Sequence, residues 1–71
     1  MNMSTWAEFL RKKYVGKRVR LVSMMDDPDP IKPGTEGLVE SVDDLGHLHV
    51  KWDNGRTLSL IVNTDTFDVL D

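Results

Sequence analysis

The chain has no cysteine, only five aromatic residues and three prolines in 71 positions. Without cysteine, neither disulfides nor thiolate zinc sites are available, so the fold must rest on packing. No apolar run approaches the ~20 residues that cross a bilayer. The start MNMSTWAEFLRKKY also lacks the small-residue cleavage site of a secretory signal. The expectation is a soluble, cytoplasmic protein. The five aromatics, Trp6, Phe9, Tyr14, Trp52 and Phe67, are too few to line a groove for proline-rich peptides or to build a methyl-lysine cage. A chain this short makes one domain and buries only about 60 per cent of its unfolded surface, which leaves little room for an enclosed active site.

Catalytic signatures are missing as well. No nucleophile elbow, phosphate-cradling glycine loop or metal-hydrolase helix can be read in the sequence. GTEG, Gly34 to Gly37, has two glycines but no lysine beside it and no helix pattern after it. The aspartate pairs 26/27 and 43/44 read as turn chemistry. His47 and His49 share one strand face, a geometry that serves a metal only with a third ligand such as Asp44; they read as solvent-facing residues. The expectation is a non-enzyme with no cofactor and no metal.

What is present is a charge asymmetry. Met1 to Val22 carries Arg11, Lys12, Lys13, Lys17, Arg18 and Arg20 against Glu8 alone, whereas Ser23 to Asp71 carries three basic against eleven acidic residues. The whole chain has a net charge of -3. Such a division either steers a charged partner or lets two halves attract each other.

Hydrophobic periodicity divides the chain in two. STWAEFLRKKY reads as a short amphipathic helix, with Thr5 as N-cap, Glu8 completing a capping box and Gly16 as the stop. Trp6, Phe9, Leu10 and Tyr14 fall on one face, which either packs on the domain or meets a partner. Residues 1-15 are read as this helix and 16-71 as a β domain. From Lys17 the period becomes two: RVRLVSM, GLVESV, HLHVKW, TLSLIV and FDVL give about five short antiparallel strands, a small barrel or meander.

Turn chemistry fixes the register. A three-residue loop Asp53-Asn54-Gly55 with a glycine bulge pairs Trp52 with Arg56, Val50 with Leu58 and Leu48 with Leu60, putting both apolar sets on one face. A two-residue Asn54-Gly55 turn would separate them. The loop Asp44-Leu45-Gly46 likewise sets Val42 opposite Leu48. Val39 then has the wrong parity, and a bulge near Glu40 and Ser41 is required to turn both valines inward.

The segments GKRVRLVSM, DP at Asp27-Pro28, PGTEG, VDD, HVKWDNG and DTFDVL resemble a family of small bacterial domains of unknown function, often encoded near phage and mobile-element genes. GTEGLVESV and VKWDNG are also similar to SH3-like barrels. The resemblance implies a mainly β, SH3-like barrel preceded by one helix, with no catalytic residues to carry over.

In that frame MMDDPDPIKPGTEG, Met24 to Gly37, is the long loop between the first two strands. Pro28, Pro30 and Pro33 bias the preceding residues toward extended forms, and Pro33-Gly34 reads as a turn. The leading expectation is a protein-interaction module using Asp26, Asp27 and Asp29 with the rim residues Trp52 and Arg56. Two alternatives stand beside it. One is a nucleic-acid-binding accessory domain using Arg11, Lys12, Lys13, Lys17, Arg18 and Arg20. The other is an acidic inhibitor of a host nucleic-acid enzyme.

Overall fold

The computed structural model describes residues 4–25 and 27–70. Helix α1 spans Ser4–Tyr14 and is followed by β1 (Arg18–Ser23), β2 (Glu36–Val42), β3 (His47–Trp52), β4 (Leu60–Ile61) and β5 (Thr66–Leu70). The strands form one antiparallel sheet of order β4-β3-β2-β1-β5. The protein is therefore mainly β, with one short N-terminal helix, as its periodicity implies.

Barrel closure does not occur: β4 and β5 are the two edges of the sheet and do not pair with each other. The reason lies in the backbone of Ile61. Its carbonyl accepts the amides of Thr64 at 2.9 Å and Asp65 at 2.8 Å, and its amide donates to the Asp65 carboxylate at 2.9 Å. The groups that would have bonded a further strand are consumed in a turn, so β4 stops after two residues. The expected strand TLSLIV shrinks accordingly, although Lys51 still bridges Thr57, and Leu58 and Val62 still pack against the core.

Both hairpins take the register that turn chemistry demands. The Trp52 amide donates to the Arg56 carbonyl at 3.0 Å, Leu48 pairs with Leu60, and Gly55 has φ 91°. In the neighbouring hairpin Val42 pairs with Leu48, the Gly46 amide donates to the Asp43 carbonyl at 2.9 Å, and Gly46 has φ 84°. A positive φ is accessible to glycine without a Cβ clash, which is why these positions end their loops. Between Val39↔Val50 and Ser41↔His49 the register shifts by one residue, so Val39 and Val42 both point inward while Glu40 and Ser41 stay exposed.

The core is one cluster. The sheet contributes Val19, Leu21, Val39, Val42, Leu48, Val50, Trp52 and Leu60; the β1–β2 loop adds Met24 and Ile31; α1 adds Ala7, Leu10 and Tyr14. The helix starts one residue before the expected cap, which places Thr5 in its first turn. It ends before Gly16, whose φ of 87° turns the chain so that its amide reaches the Val39 carbonyl at 2.8 Å.

Candidate interaction surface

The loop between β1 and β2 is held from within. Gly34, with φ 90°, donates its amide to the Leu21 carbonyl at 2.7 Å, and Thr35 donates to Lys32 at 3.1 Å, closing the Pro33-Gly34 turn. Asp27 accepts the Asp29 amide on Oδ1 at 2.9 Å, an aspartate turn that shapes the chain rather than presenting a charge. Arg56 donates to the carbonyls of Asp29 at 2.8 Å and Pro30 at 3.2 Å, and its Nη2 lies 3.5 Å from the Asp29 carboxylate. Asp26 lies outside the described residues.

Trp52 corrects the rim-residue expectation. It is 1 % exposed and its indole Nε1 donates to the Leu58 carbonyl at 2.9 Å, so it offers no surface to a partner. Its parity with Leu48 and Val50 on β3 sends it to the core face. Arg56 does not stack on it; its guanidinium is drawn to the loop carbonyls instead. The Asp29 carboxylate is 89 % exposed in its side chain, with the Arg56 guanidinium at its edge.

The basic residues do not form one patch. Arg18 forms a forked pair with Asp53 and lies 3.6 Å from Glu36, while Arg20 reaches Glu36 at 3.3 Å. These three elements lie across the outer sheet face. The Arg18 pair holds Asp53 below its usual carboxylate range and raises the guanidinium in turn. Arg11 is different: its Nε donates to the Val42 carbonyl at 3.0 Å and its Nη2 to Asp44 at 3.1 Å, pinning α1 to the β2–β3 turn. Lys12 is exposed, and Lys17 is partly buried next to β1.

At that same turn the structure selects Asp43, not Asp44, as the partner of the histidines. Asp43 Oδ1 accepts the amides of Leu45 and His47, each at 3.0 Å, and Oδ2 lies 3.0 Å from His49 Nε2 and 3.8 Å from His47 Nδ1. The His47 amide, the His49 ring and the Leu45 amide together lower the Asp43 carboxyl from its ordinary value, against an opposing effect of burial. No set of three or more metal-ligating side chains assembles among the described residues. A groove of about 460 Å³ beside His49, lined by Ser41, Thr57 and Ser59, opens where Leu58 and Ser59 leave the ladder.

The surface that sequence reasoning underweighted is on α1. The helix buries Ala7, Leu10 and Tyr14, and it leaves Trp6 44 % and Phe9 54 % exposed. The two rings stack with centroids 5.8 Å apart and planes 18° from parallel. The Lys13 ammonium sits over the rings of Phe9, at 5.7 Å, and Tyr14, at 5.3 Å. Trp6 lies directly over Gly46, where an added Cβ would approach its indole to 2.7 Å. Leu45, next in the same turn, is also exposed. Tyr14 meets Phe67 edge-on at 5.6 Å, tying the other end of α1 toward β5.

A helix clamped at both ends thus displays two stacked aromatics that the described residues of its own domain cover only in part. The signal was in the sequence: Ala7, Leu10 and Tyr14 follow each other at spacings of three and four on one helix face, and the small residue permits the closer approach. Comparison with known families matches residues 3–70 to the family described as Domain of unknown function (DUF4314). Comparisons with curated proteins and with solved structures give no match.

Proposed function

We propose that this chain, which belongs to the DUF4314 family of domains of unknown function, is a non-enzymatic protein-interaction module whose contact surface is the outer face of α1. The stacked, half-exposed pair Trp6 and Phe9 carries this reading. Large aromatic side chains are the residue types that anchor protein interfaces. Leaving two of five aromatics half in water, in a domain with so small a core, gives up burial that the fold would otherwise use.

The kinship with SH3-like barrels belongs to the same proposal. It is supported by the adjacency of the first and last strands and by the long β1–β2 loop, with the sheet opened at β4 and β5. A bacterial mobile-element origin and a cytoplasmic setting rest on the sequence resemblance alone. The nucleic-acid reading is less favoured, because Arg11, Arg18 and Arg20 already face carboxylates of the same chain.

Affinity capture from nuclease-treated bacterial lysate, with the wild-type chain and with Phe9→Ser in parallel, tests the module. The expected result is a protein retained by the wild type and lost by the variant at unchanged melting temperature. Retention that survives Phe9→Ser, or capture that disappears with nuclease, overturns the proposed surface.

A further inference from the structure

Resting on the reading of α1 as a docking surface, we infer the chemistry of its partner: a helical segment bearing two apolar side chains one turn apart and a carboxylate one turn further on. Trp6, Phe9 and Lys13 follow each other at spacings of three and four, so they form a single row on the helix. At 1.5 Å per residue the row is about 10 Å long, and it reads apolar, apolar, cation. A partner helix meets such a row with residues at i, i+3 or i+4, and i+7.

The charge at the end of the row is unmatched. Arg11, Arg18, Arg20 and Arg56 each face a carboxylate. Lys12 and Lys13 have no carboxylate partner among the described residues, and Lys13 is held against Phe9 and Tyr14 by its cation–π contacts. A cation held over two aromatic rings at the border of an apolar patch is already placed and oriented. A carboxylate arriving there gains more than it would at an isolated lysine in water. An acidic partner is the complement of this row, and a basic one is repelled by it.

The α1 helix of a second copy does not supply that complement. Glu8 is the only acidic residue of α1, and it lies one and two positions from Phe9 and Trp6, on a different face of the helix. Around α1, Asp44 faces Arg11 and Asp43 the two histidines, while Glu40 is exposed beside Arg11 and Lys12. The occupant argued for is a different protein that carries its apolar pair and its carboxylate in one row, and a second copy is an outcome of the test.

The probes are two synthetic helical peptides of about four turns, identical except for Glu or Lys at the i+7 position, with leucine at i and i+4. Each is titrated into the isotope-labelled full chain while the Trp6 indole and the α1 amide resonances are followed. The Glu peptide is expected to bind about fivefold more tightly than the Lys peptide. The preference should vanish in Lys13→Gln and at high salt, and Phe9→Ser should weaken both peptides alike. Equal affinities that still fall with Phe9→Ser overturn the acidic partner but keep the docking surface. Binding of neither peptide, or binding indifferent to Phe9→Ser, overturns both. A dimer of the free chain that Phe9→Ser abolishes in sedimentation also refutes the inference, because it makes a second copy the occupant.

Discussion

The indole Nε1 of Trp52 donates to the carbonyl of Leu58 at 2.9 Å, and this bond stands where the ladder between β3 and the segment before β4 is open. One side chain therefore fills the core and also satisfies a backbone acceptor that the sheet leaves over. Trp52→Phe keeps most of the apolar volume but leaves that carbonyl without its donor. The expected loss is about 1–3 kcal/mol, read as a lower urea midpoint at an unchanged slope. An unchanged midpoint would show that solvent replaces the indole at no cost.

Two glycines separate crowding from backbone strain. A Cβ at Gly37 would lie 2.7 Å from Val50 Cγ1, 2.9 Å from the Lys51 carbonyl and 3.0 Å from Trp52 Cα, so the two strands must part to admit it. At Gly55 nothing lies within 4 Å, and only the φ of 91° resists. Gly55→Ala should cost about 1–2 kcal/mol through strain alone. Gly37→Ala should cost more and should also shift the amide resonances of β3, because the backbone at Lys51 and Trp52 stands in the way as well as the Val50 side chain.

Asp43 gives an acid-sensitive contribution to stability. Its carboxyl is lowered in the folded protein by the His47 amide, the His49 ring and the Leu45 amide. A carboxyl with a depressed folded value contributes stability that is fully present above its ordinary value of 3.8 and is lost as pH falls through the folded value. Asp43→Asn keeps an acceptor for the two turn amides but removes the charge. The variant should be less stable than the wild type at neutral pH, and the gap should close as pH falls below 4. A gap that stays constant into acid would mean that the charge contributes nothing.

Arg56 tethers the loop that precedes β2 through the carbonyls of Asp29 and Pro30. Arg56→Gln should speed amide hydrogen exchange in residues 27–31 with little effect on β3. Global stability should fall by about 1 kcal/mol, since the bonds are exposed. Because two acceptors are uncharged carbonyls, salt should reproduce little of the effect. Exchange unaltered by the substitution would place the loop's order in Ile31 and Met24 alone.

How far the sequence could be read depended on whether one element or several decided the outcome. The hairpin registers were legible because each follows from a glycine at a fixed offset and from the parity of Val50, Leu58, Leu48 and Leu60, all local facts. The bulge at Glu40 and Ser41 was legible for the same reason, since Val39 and Val42 cannot both face inward without it. Barrel closure was not legible. It depends on whether Ile61 bonds a distant strand or the nearby Asp65, and pattern alone does not rank the two. The helix face is only half legible, because Trp6 and Phe9 promise more burial than Ala7, yet Ala7 is the residue the domain encloses. Trp52 belongs to the core by its alternation with Leu48 and Val50, which outweighs its place beside the turn.

The one-residue shift in β2 has a consequence for how the chain tolerates changes of length. With the bulge, the residues before Glu40 and those after Ser41 follow opposite parities toward β3, and each half buries its own valine. Deleting either bulge residue would restore an unbroken strand in which the two valines, then two apart, still share one face, so the bend rather than the burial is what the deletion removes. Two changes of length that cancel, one in the bulge and one in the adjoining Asp43 to Gly46 turn, would still leave the hairpin without its bend. A change of length between Val39 and Val42 thus acts on the curvature of the sheet, whereas one at the Asn54 tip acts on the register of β3 and the apolar residues after it.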